Sequence, residues 1–270
     1  RDLPGGCSRR LGGCQFTRRL RRPRISTNSE TRPKAATISL LSKDSDPGGN
    51  KDYRMEKVIN AALCFDGNET QKTEWLDAIF SDVDRHYGYS NSFEKAIETT
   101  AGLMPQAFLN RVFQGTEEQQ NRRSFFIRHG GIRRSPLSKI DVTDLIAWCQ
   151  QRNTPEIWGL VASGIMLWEK ADANENGYFL TTSAVTFLEA APDPEPVLHA
   201  YADRVTPSGW TGSRADTMQP RADAIAELSL HVRQDISDAA RSTSNRLAME
   251  IERERIRDRQ RDEDREQRFE

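Results

Sequence analysis

The chain has 270 residues, of which 36% are hydrophobic and 29% charged, so we expect a folded core with a large solvated surface. The formal net charge of -1 is unevenly distributed: residues 1–34 carry ten basic against two acidic side chains (+8), which leaves -9 on the rest. A chain whose larger part is acidic is not expected to bind nucleic acids generally.

Residues 1–50 are expected to form a disordered, basic N-terminal tail. Glycine pairs at 5–6 and 12–13 and the Asp-Pro-Gly-Gly run at 46–49 interrupt any helix, and no apolar periodicity would drive packing. Scattered arginines in such a tail are ordinarily solvated. The functional alternative is a basic arm that contacts phosphate groups.

Residues 51–215 are predicted to form a helical body. Apolar side chains between 75 and 87 recur at helical spacing after a capping pattern at Asn68 and Gln71, and Pro105 is expected in the first turn of another helix. A clearer helix follows, whose apolar positions at i, i+3, i+4 and i+7 are Val142, Leu145, Ile146 and Cys149.

Two further helices are predicted to begin at Thr154-Pro155 and at Asp193-Pro194. Their starts lie about 40 residues apart, near the period of HEAT-like helical repeats, but the two segments share no side-chain pattern. No stretch alternates convincingly between apolar and polar residues, so only short hairpins in loops are compatible with the sequence. The expected fold class is all-α, as an irregular helical bundle or a HEAT-like repeat.

Residues 216–270 are predicted to form one long amphipathic helix, because apolar positions advance by three or four residues from Ile225 to Ile251. Beyond Ile251, opposite charges lie three residues apart, and each such pair contributes ~0.2–0.5 kcal/mol. We expect this charged end to be exposed, and the helix to project from the body or to pair with a partner helix, including that of a second copy of the chain. The residues expected at the partner interface are Trp210, Arg214, Leu228, Val232, Ile236, Leu247 and Ile251.

The segment from Thr206 to Arg214 is the most unusual loop, since it places two glycines and several hydroxyl side chains just before a helix. Exposed backbone N–H groups in such a loop would bind an anion, but the GxxxxGK[ST] arrangement of a P-loop is absent. The favoured interpretation is that the loop caps the following helix and docks Trp210 on the body.

A basic patch surrounds Gly130-Gly131. Its candidate ligands for an anion or a nucleic acid are Arg122, Arg123, Arg128, Arg133 and Arg134. Phe125 and Phe126 lie among them and would stack on bases in that case. The favoured interpretation is that the two rings form the core face of a short helix and that the arginines pair with the acidic remainder of the chain.

Residues 172–177 match the first half of a calcium-binding EF-hand loop, but Ser183 stands where the bidentate Glu is required. A helix-ending turn at Gly177 is therefore preferred, and no metal or other cofactor is expected. The histidines are isolated, and no Cys or Ser has a local partner that would activate it, so no catalytic motif is recognisable. Catalytic groups that converge only in the folded chain would not show in the sequence.

The cysteines show neither CxxC nor zinc-type spacing, and Cys64 and Cys149 lie in apolar helical patterns that favour buried, reduced thiols. The longest apolar run, 157–168, falls short of the ~20 residues that a membrane-spanning helix needs. A cytoplasmic protein without membrane association is expected.

Residues 154–270 carry three distinctive features: the Ala-Pro-Asp-Pro run at 191–194, the loop at 207–215 and the charged ending at 265–270. In these features the region resembles the C-terminal helical part of large bacterial multidomain proteins. Those proteins carry an NTPase or other effector domain upstream and often act in phage or stress defence. The resemblance covers less than half of the chain. It implies a helical scaffold at the C-terminal end of a longer protein, and the first residue, Arg1 rather than Met, fits that expectation.

The predicted function is therefore a non-catalytic helical scaffold or protein-interaction module, whose partner is another protein or an upstream domain of a larger chain. The alternative is a nucleic-acid-binding accessory module that uses the Arg-rich tail and the basic patch at 122–134.

Overall fold

The computed structural model describes residues 73–74, 76–77, 80–81, 84, 94–120, 123, 135–152, 154–170 and 177–267. The described part of the chain is mostly helical, which confirms the prediction of a helical fold class. The tail at 1–50, and the residues of the basic patch other than Arg123, lie outside it.

The helices and strands follow one another along a single core. In chain order they are α1 Glu94–Leu103, α2 Pro105–Phe113, α3 Val142–Arg152, α4 Pro155–Ala162, β1 Trp168–Lys170, β2 Tyr178–Leu180, α5 Thr182–Ala190, α6 Glu195–Asp203, α7 Arg214–Ala226 and α8 Gln234–Gln267. Short 3₁₀ helices cover Pro136–Lys139 and Glu227–Leu230. Helical residues are also present within 73–84, where Leu76 and Phe80 are buried.

Several helix starts agree with the sequence signals. Pro105 and Pro155 occupy the first turns of α2 and α4, where the missing N–H has no intrahelical partner to lose. Before α6, the Asp193 carboxylate accepts a hydrogen bond from the Glu195 N–H at 3.0 Å. Thr154 has the extended backbone of an N-cap, but its side chain does not make the cap hydrogen bond that the sequence predicted.

The core is built from the apolar faces of these helices and from aromatic side chains with satisfied polar atoms. The Trp148 indole N–H donates to the side-chain amide oxygen of Asn110 at 2.9 Å, and the buried Tyr201 hydroxyl donates to the backbone carbonyl of Ala184 at 2.9 Å. Trp158 packs on Phe187 with ring centroids 5.0 Å apart. Buried rings with paired donors fix the helices in one arrangement.

Between α4 and α5 the chain forms an antiparallel hairpin, in which Trp168 pairs with Leu180, Glu169 with Phe179 and Lys170 with Tyr178. The segment 172–177 therefore connects two strands, and the predicted helix-ending turn is wrong. Gly177 directly precedes β2, while 171–176 lie outside the described residues. The misreading arose because three-residue strands are too short for their alternation to be detected.

The segment predicted as one helix over 216–270 is divided in two. Helix α7 gives way to the 3₁₀ turn at Glu227–Leu230, His231 is extended, and α8 begins at Gln234. The start of α7 lies beside the far part of α8, where Arg255 donates to the Gln219 side-chain oxygen at 2.8 Å, so the helices run antiparallel. The break lets both apolar faces pack within the molecule, which a single straight helix would leave in water.

Candidate functional site

The 227–233 turn is held to α5 by His231. Its Nε2 lies 3.0 Å from the Glu189 carboxylate, and its Nδ1 accepts the Arg233 backbone N–H at 3.1 Å. Because Nδ1 is an acceptor, the ring N–H is at Nε2, which donates a hydrogen bond to the Glu189 carboxylate. The ring therefore fixes both the turn and its distance from α5.

Arg233 provides a second attachment at the same place. Its guanidinium donates to the backbone carbonyls of Glu189 and, at 3.3 Å, of Ala191, which are the last turn and the C-cap of α5. It also pairs with Asp235 at 2.5 Å. The Asp235 hydrogen bond raises the pKa of Arg233, and the same bond lowers the pKa of Asp235. A cation at the carboxyl end of a helix is electrostatically favourable.

At these two attachments the turn presents apolar side chains to solvent. Leu230, just before His231, is 88% exposed, and Val232, between His231 and Arg233, is 95% exposed, although large apolar side chains are ordinarily withdrawn from water. On the neighbouring hairpin, Phe179 is 50% exposed. A hydrogen-bonded turn thus displays an apolar surface that the described residues leave exposed.

A groove of about 280 Å³ lies beside this turn. Its lining residues, which define the apolar groove, are Phe179, Leu180, Val185, Ala224, Glu227, Leu228, Leu230 and His231. The lining comes from β2, α5, α7 and the 3₁₀ turn, so tertiary packing assembles it from segments about fifty residues apart.

Two carboxylates stand at the edges of the apolar groove. Glu227 is part of its lining, and Glu169 lies opposite Phe179 in the hairpin register, on the same face of the two strands. Both are exposed, and among the side chains that the structure describes neither has an ion-pair partner. The groove is therefore apolar inside and acidic at its rim.

The Trp210 loop caps α7, as the sequence predicted. The Ser213 hydroxyl accepts the Asp216 N–H at 3.1 Å, so Ser213 is the N-cap of α7. Asp258 of α8 accepts a hydrogen bond from that same hydroxyl at 2.8 Å and another from the Ala215 N–H at 3.2 Å. The anion at this helix start is thus the chain's own carboxylate, which leaves no reason to assign an external one.

The charge state of Asp258 follows from these contacts. Burial alone would raise its pKa, but the hydrogen bonds from Ser213 and Ala215, together with nearby Arg261, outweigh burial and lower the pKa. The carboxylate form is therefore the one that the fold favours.

Trp210 interacts with Arg214, which also contacts α8. The Arg214 guanidinium lies 4.8 Å from the centre of the Trp210 ring and 3.5 Å from the Glu254 carboxylate. Glu254 is buried and also pairs with Arg257 at 2.5 Å. Trp210 remains 39% exposed, so it is only partly docked.

The other residues expected at a partner interface divide into two groups. Ile236, Leu247 and Ile251 are at most 2% exposed and belong to the chain's own core, so the expectation that they face a partner is corrected. Leu228 is 7% exposed and contributes to the groove, and Val232 is exposed beside it. The apolar stripe predicted between Ile225 and Ile251 is present, but helices of the same chain cover most of it.

Of the candidate basic patch, only Arg123 is described, and it pairs with an acidic side chain, as the favoured interpretation predicts, rather than presenting itself to an anion. Its guanidinium donates to both Asp84 carboxylate oxygens, at 2.5 and 3.0 Å, and to the carbonyls of Arg111 and Gln114. The side chain is 10% exposed. Four of the five guanidinium N–H donors are used in these contacts, so the structure gives Arg123 a structural role. Arg122, Arg128, Arg133 and Arg134 lie outside the described residues.

Within the described ranges, no group of three or more His, Cys, Asp or Glu side chains could hold a metal ion. Cys149 is a free, buried thiol, and burial raises its pKa to about 12, which keeps it protonated and unreactive. No described helix combines the length and the apolar character needed to cross a membrane.

Sequence reasoning missed the contributions of Phe179, Glu189 and Leu230. Leu230 lies off the apolar stripe that includes Leu228 and Val232, and an apolar residue out of phase with its helix was a usable signal of a break. The other two gave no local signal, because their roles depend on contacts with the 227–233 turn.

No protein-family model, curated protein or solved structure matches the chain. The function is therefore argued from the groove and its surroundings.

Proposed function

We propose that this protein is a non-catalytic helical module that binds a protein partner at the apolar groove and the adjoining 227–233 turn. The observation that carries the proposal is the 88% and 95% exposure of Leu230 and Val232 on a turn that His231 and Arg233 attach to the end of α5. Neighbouring apolar side chains that a hydrogen-bonded support holds in water are a common mark of an interaction surface.

The energetics favour a partner that covers these side chains. Complete burial of a Leu or Val side chain contributes about 1.5–3 kcal/mol. Because His231 and Arg233 already fix the turn, little conformational entropy is lost on binding. The groove, of about 280 Å³, is open to solvent beside the exposed Leu230, so a partner that fills it would also cover this side chain.

We also infer that the framework is an irregular helical bundle rather than a HEAT-like repeat. The support is what lies between the two proline-started helices α4 and α6. A β-hairpin and α5 stand there, whereas a HEAT-like repeat would have helices alone. The resemblance of residues 154–270 to the helical ends of multidomain bacterial proteins makes an effector domain the first partner to test.

Site-specific crosslinking tests the proposal. A photo-crosslinking amino acid is incorporated at position 230, or at Met249 as a control, because Met249 is also exposed (59%) but lies on α8. The expected result in expressing cells is a discrete crosslinked protein from position 230 only, identified by mass spectrometry.

The identified partner is then purified and titrated by calorimetry. The double variant Leu230→Ser/Val232→Ser should weaken binding at least tenfold, which corresponds to about 1.4 kcal/mol, while Met249→Ser leaves the affinity unchanged. Thermal unfolding of the variants should stay close to that of the original protein, since both side chains are already in water. Equal crosslinking at 230 and 249, or unchanged affinity of the double variant, would overturn the proposal.

A further inference from the structure

The apolar groove carries information about the charge of its occupant. Glu227 belongs to the groove lining, and Glu169 stands beside Phe179 on the exposed face of the hairpin. Glu189 lies at the His231 edge and is 47% exposed in its side chain. Acidic groups therefore border the apolar surface on the hairpin, on the 3₁₀ turn and on α5.

The basic groups at the turn are engaged elsewhere: Arg233 is directed at Asp235 and at the carbonyls of Glu189 and Ala191, and His231 is hydrogen-bonded to Glu189. Lys170 follows Glu169 in β1, so it lies on the opposite face of the hairpin. Within the described part of the chain, Glu169 and Glu227 have no basic partner. An uncharged or acidic segment in the groove would leave these carboxylates uncompensated or repelled.

We propose that the occupant of the apolar groove is a protein segment with one or two large apolar side chains flanked by Lys or Arg. The apolar side chains contact Phe179 and Leu230, and the flanking cations lie at Glu169 and Glu227. This inference rests on the proposed interaction function and adds the chemical class of the partner. Acidic and nucleic-acid ligands are disfavoured at this surface, because the rim repels both.

The test uses three synthetic peptides and the full chain. The first has the sequence of residues 17–26, which places Leu20 and Ile25 among five arginines and so has the required chemistry. In the second peptide the arginines are replaced by glutamates, and in the third Leu20 and Ile25 are replaced by serines. Binding is followed by NMR of methyl-labelled Ile, Leu and Val, with Val185, Leu228, Leu230 and Val232 as reporters of the groove.

The expected result is that the first peptide shifts the groove methyl signals. The second peptide should bind more weakly, by a factor of up to about five, since exposed ion pairs contribute modestly. The third peptide should not shift them. The double variant Glu169→Gln/Glu227→Gln should remove the preference for the basic peptide. Glu263→Gln, on the exposed end of α8, should retain it.

Equal binding of the basic and acidic peptides at the groove would overturn the charge inference and leave the proposed function standing. Shifts that occur only at other methyl groups would overturn it as well. If the Leu230→Ser/Val232→Ser variant also binds a crosslinked partner normally, the proposed function itself fails, so the two failures are distinguishable.

Discussion

The two ends of the α7–α8 pair are attached to the molecule in different ways. At the 227–233 turn, His231 and Arg233 bind α5, and apolar side chains are left in water. At the opposite end, the loop before α7 is joined to α8 by charged and polar contacts, chiefly Ser213 with Asp258 and Arg214 with Glu254. Between them, apolar burial holds the helices together.

This difference shows which part of a helical pair is available for binding. At the polar end, Asp258 accepts a hydrogen bond from the Ala215 N–H at the start of α7. The buried Glu254 carboxylate there is paired with two arginines. The turn end uses its polar groups only for attachment and offers uncovered apolar surface. The turn end is therefore the part of the pair at which we expect a partner, while the polar end is occupied by contacts within the chain.

The largest expected effect comes from the apolar middle. Leu247→Ala removes a side chain that is 2% exposed and should lower the free energy of unfolding by about 2–5 kcal/mol, through lost burial and a residual cavity. Met249→Ala, two residues away and 59% exposed, should change it by less than about 0.5 kcal/mol. Urea unfolding followed by circular dichroism measures both. Similar losses for the two variants would contradict the assignment of Leu247 to the core.

An intermediate effect is expected at the turn end. Arg233→Ala removes hydrogen bonds to two carbonyls and should cost about 1–2 kcal/mol, at the lower end of charged hydrogen bonds because the side chain is partly exposed. Hydrogen exchange of the amides at 228–236 should become faster. The matched control is Arg241→Ala, whose guanidinium is 59% exposed and pairs only within α8. Protection that is equally lost in both variants would show that the turn is not specifically anchored by Arg233.

The smallest effect is a dependence on pH at the polar end. The folded-state pKa of Asp258 is lowered, so its contribution is fully present above the ordinary carboxyl pKa of about 3.9 and is lost as pH falls through the folded value. On acidification, the protection of the amides at 214–217, corrected for the intrinsic exchange rate, should therefore decrease as pH falls through the folded pKa of Asp258. Asp258→Asn should lower this protection at neutral pH and remove its dependence on acid. An unchanged acid profile in that variant would assign the effect to another carboxyl group.

Local sequence signals were reliable where the partners of a group lie within one or two turns. The apolar spacing at Val142, Leu145 and Cys149 predicted α3, and Pro155 predicted the first turn of α4. Charge pairs at i,i+3 were also recognised in α8, where Glu252–Arg255 and Glu254–Arg257 are formed. In each case the interacting groups are set by the helix period alone.

The candidate site was only partly accessible to the same reasoning. Val232 and Leu228 were identified as interface residues from the apolar stripe, but the stripe also included Ile236, Leu247 and Ile251, which are core. Periodicity shows that a helix has an apolar face. It does not show whether that face meets the same chain or another one.

The sequence by itself determined the helical class, the main helix starts and the charged end of α8, because propensity, capping and periodicity act over a few residues. The tertiary structure alone decided the break at 227–233, the capping of α7 by Asp258 and the exposure of Leu230. Each of these depends on a partner more than forty residues away or on a neighbouring hairpin, as His231 does on Glu189 and Ser213 on Asp258. Such contacts are specified by how the helices pack, and packing is a property of the whole core.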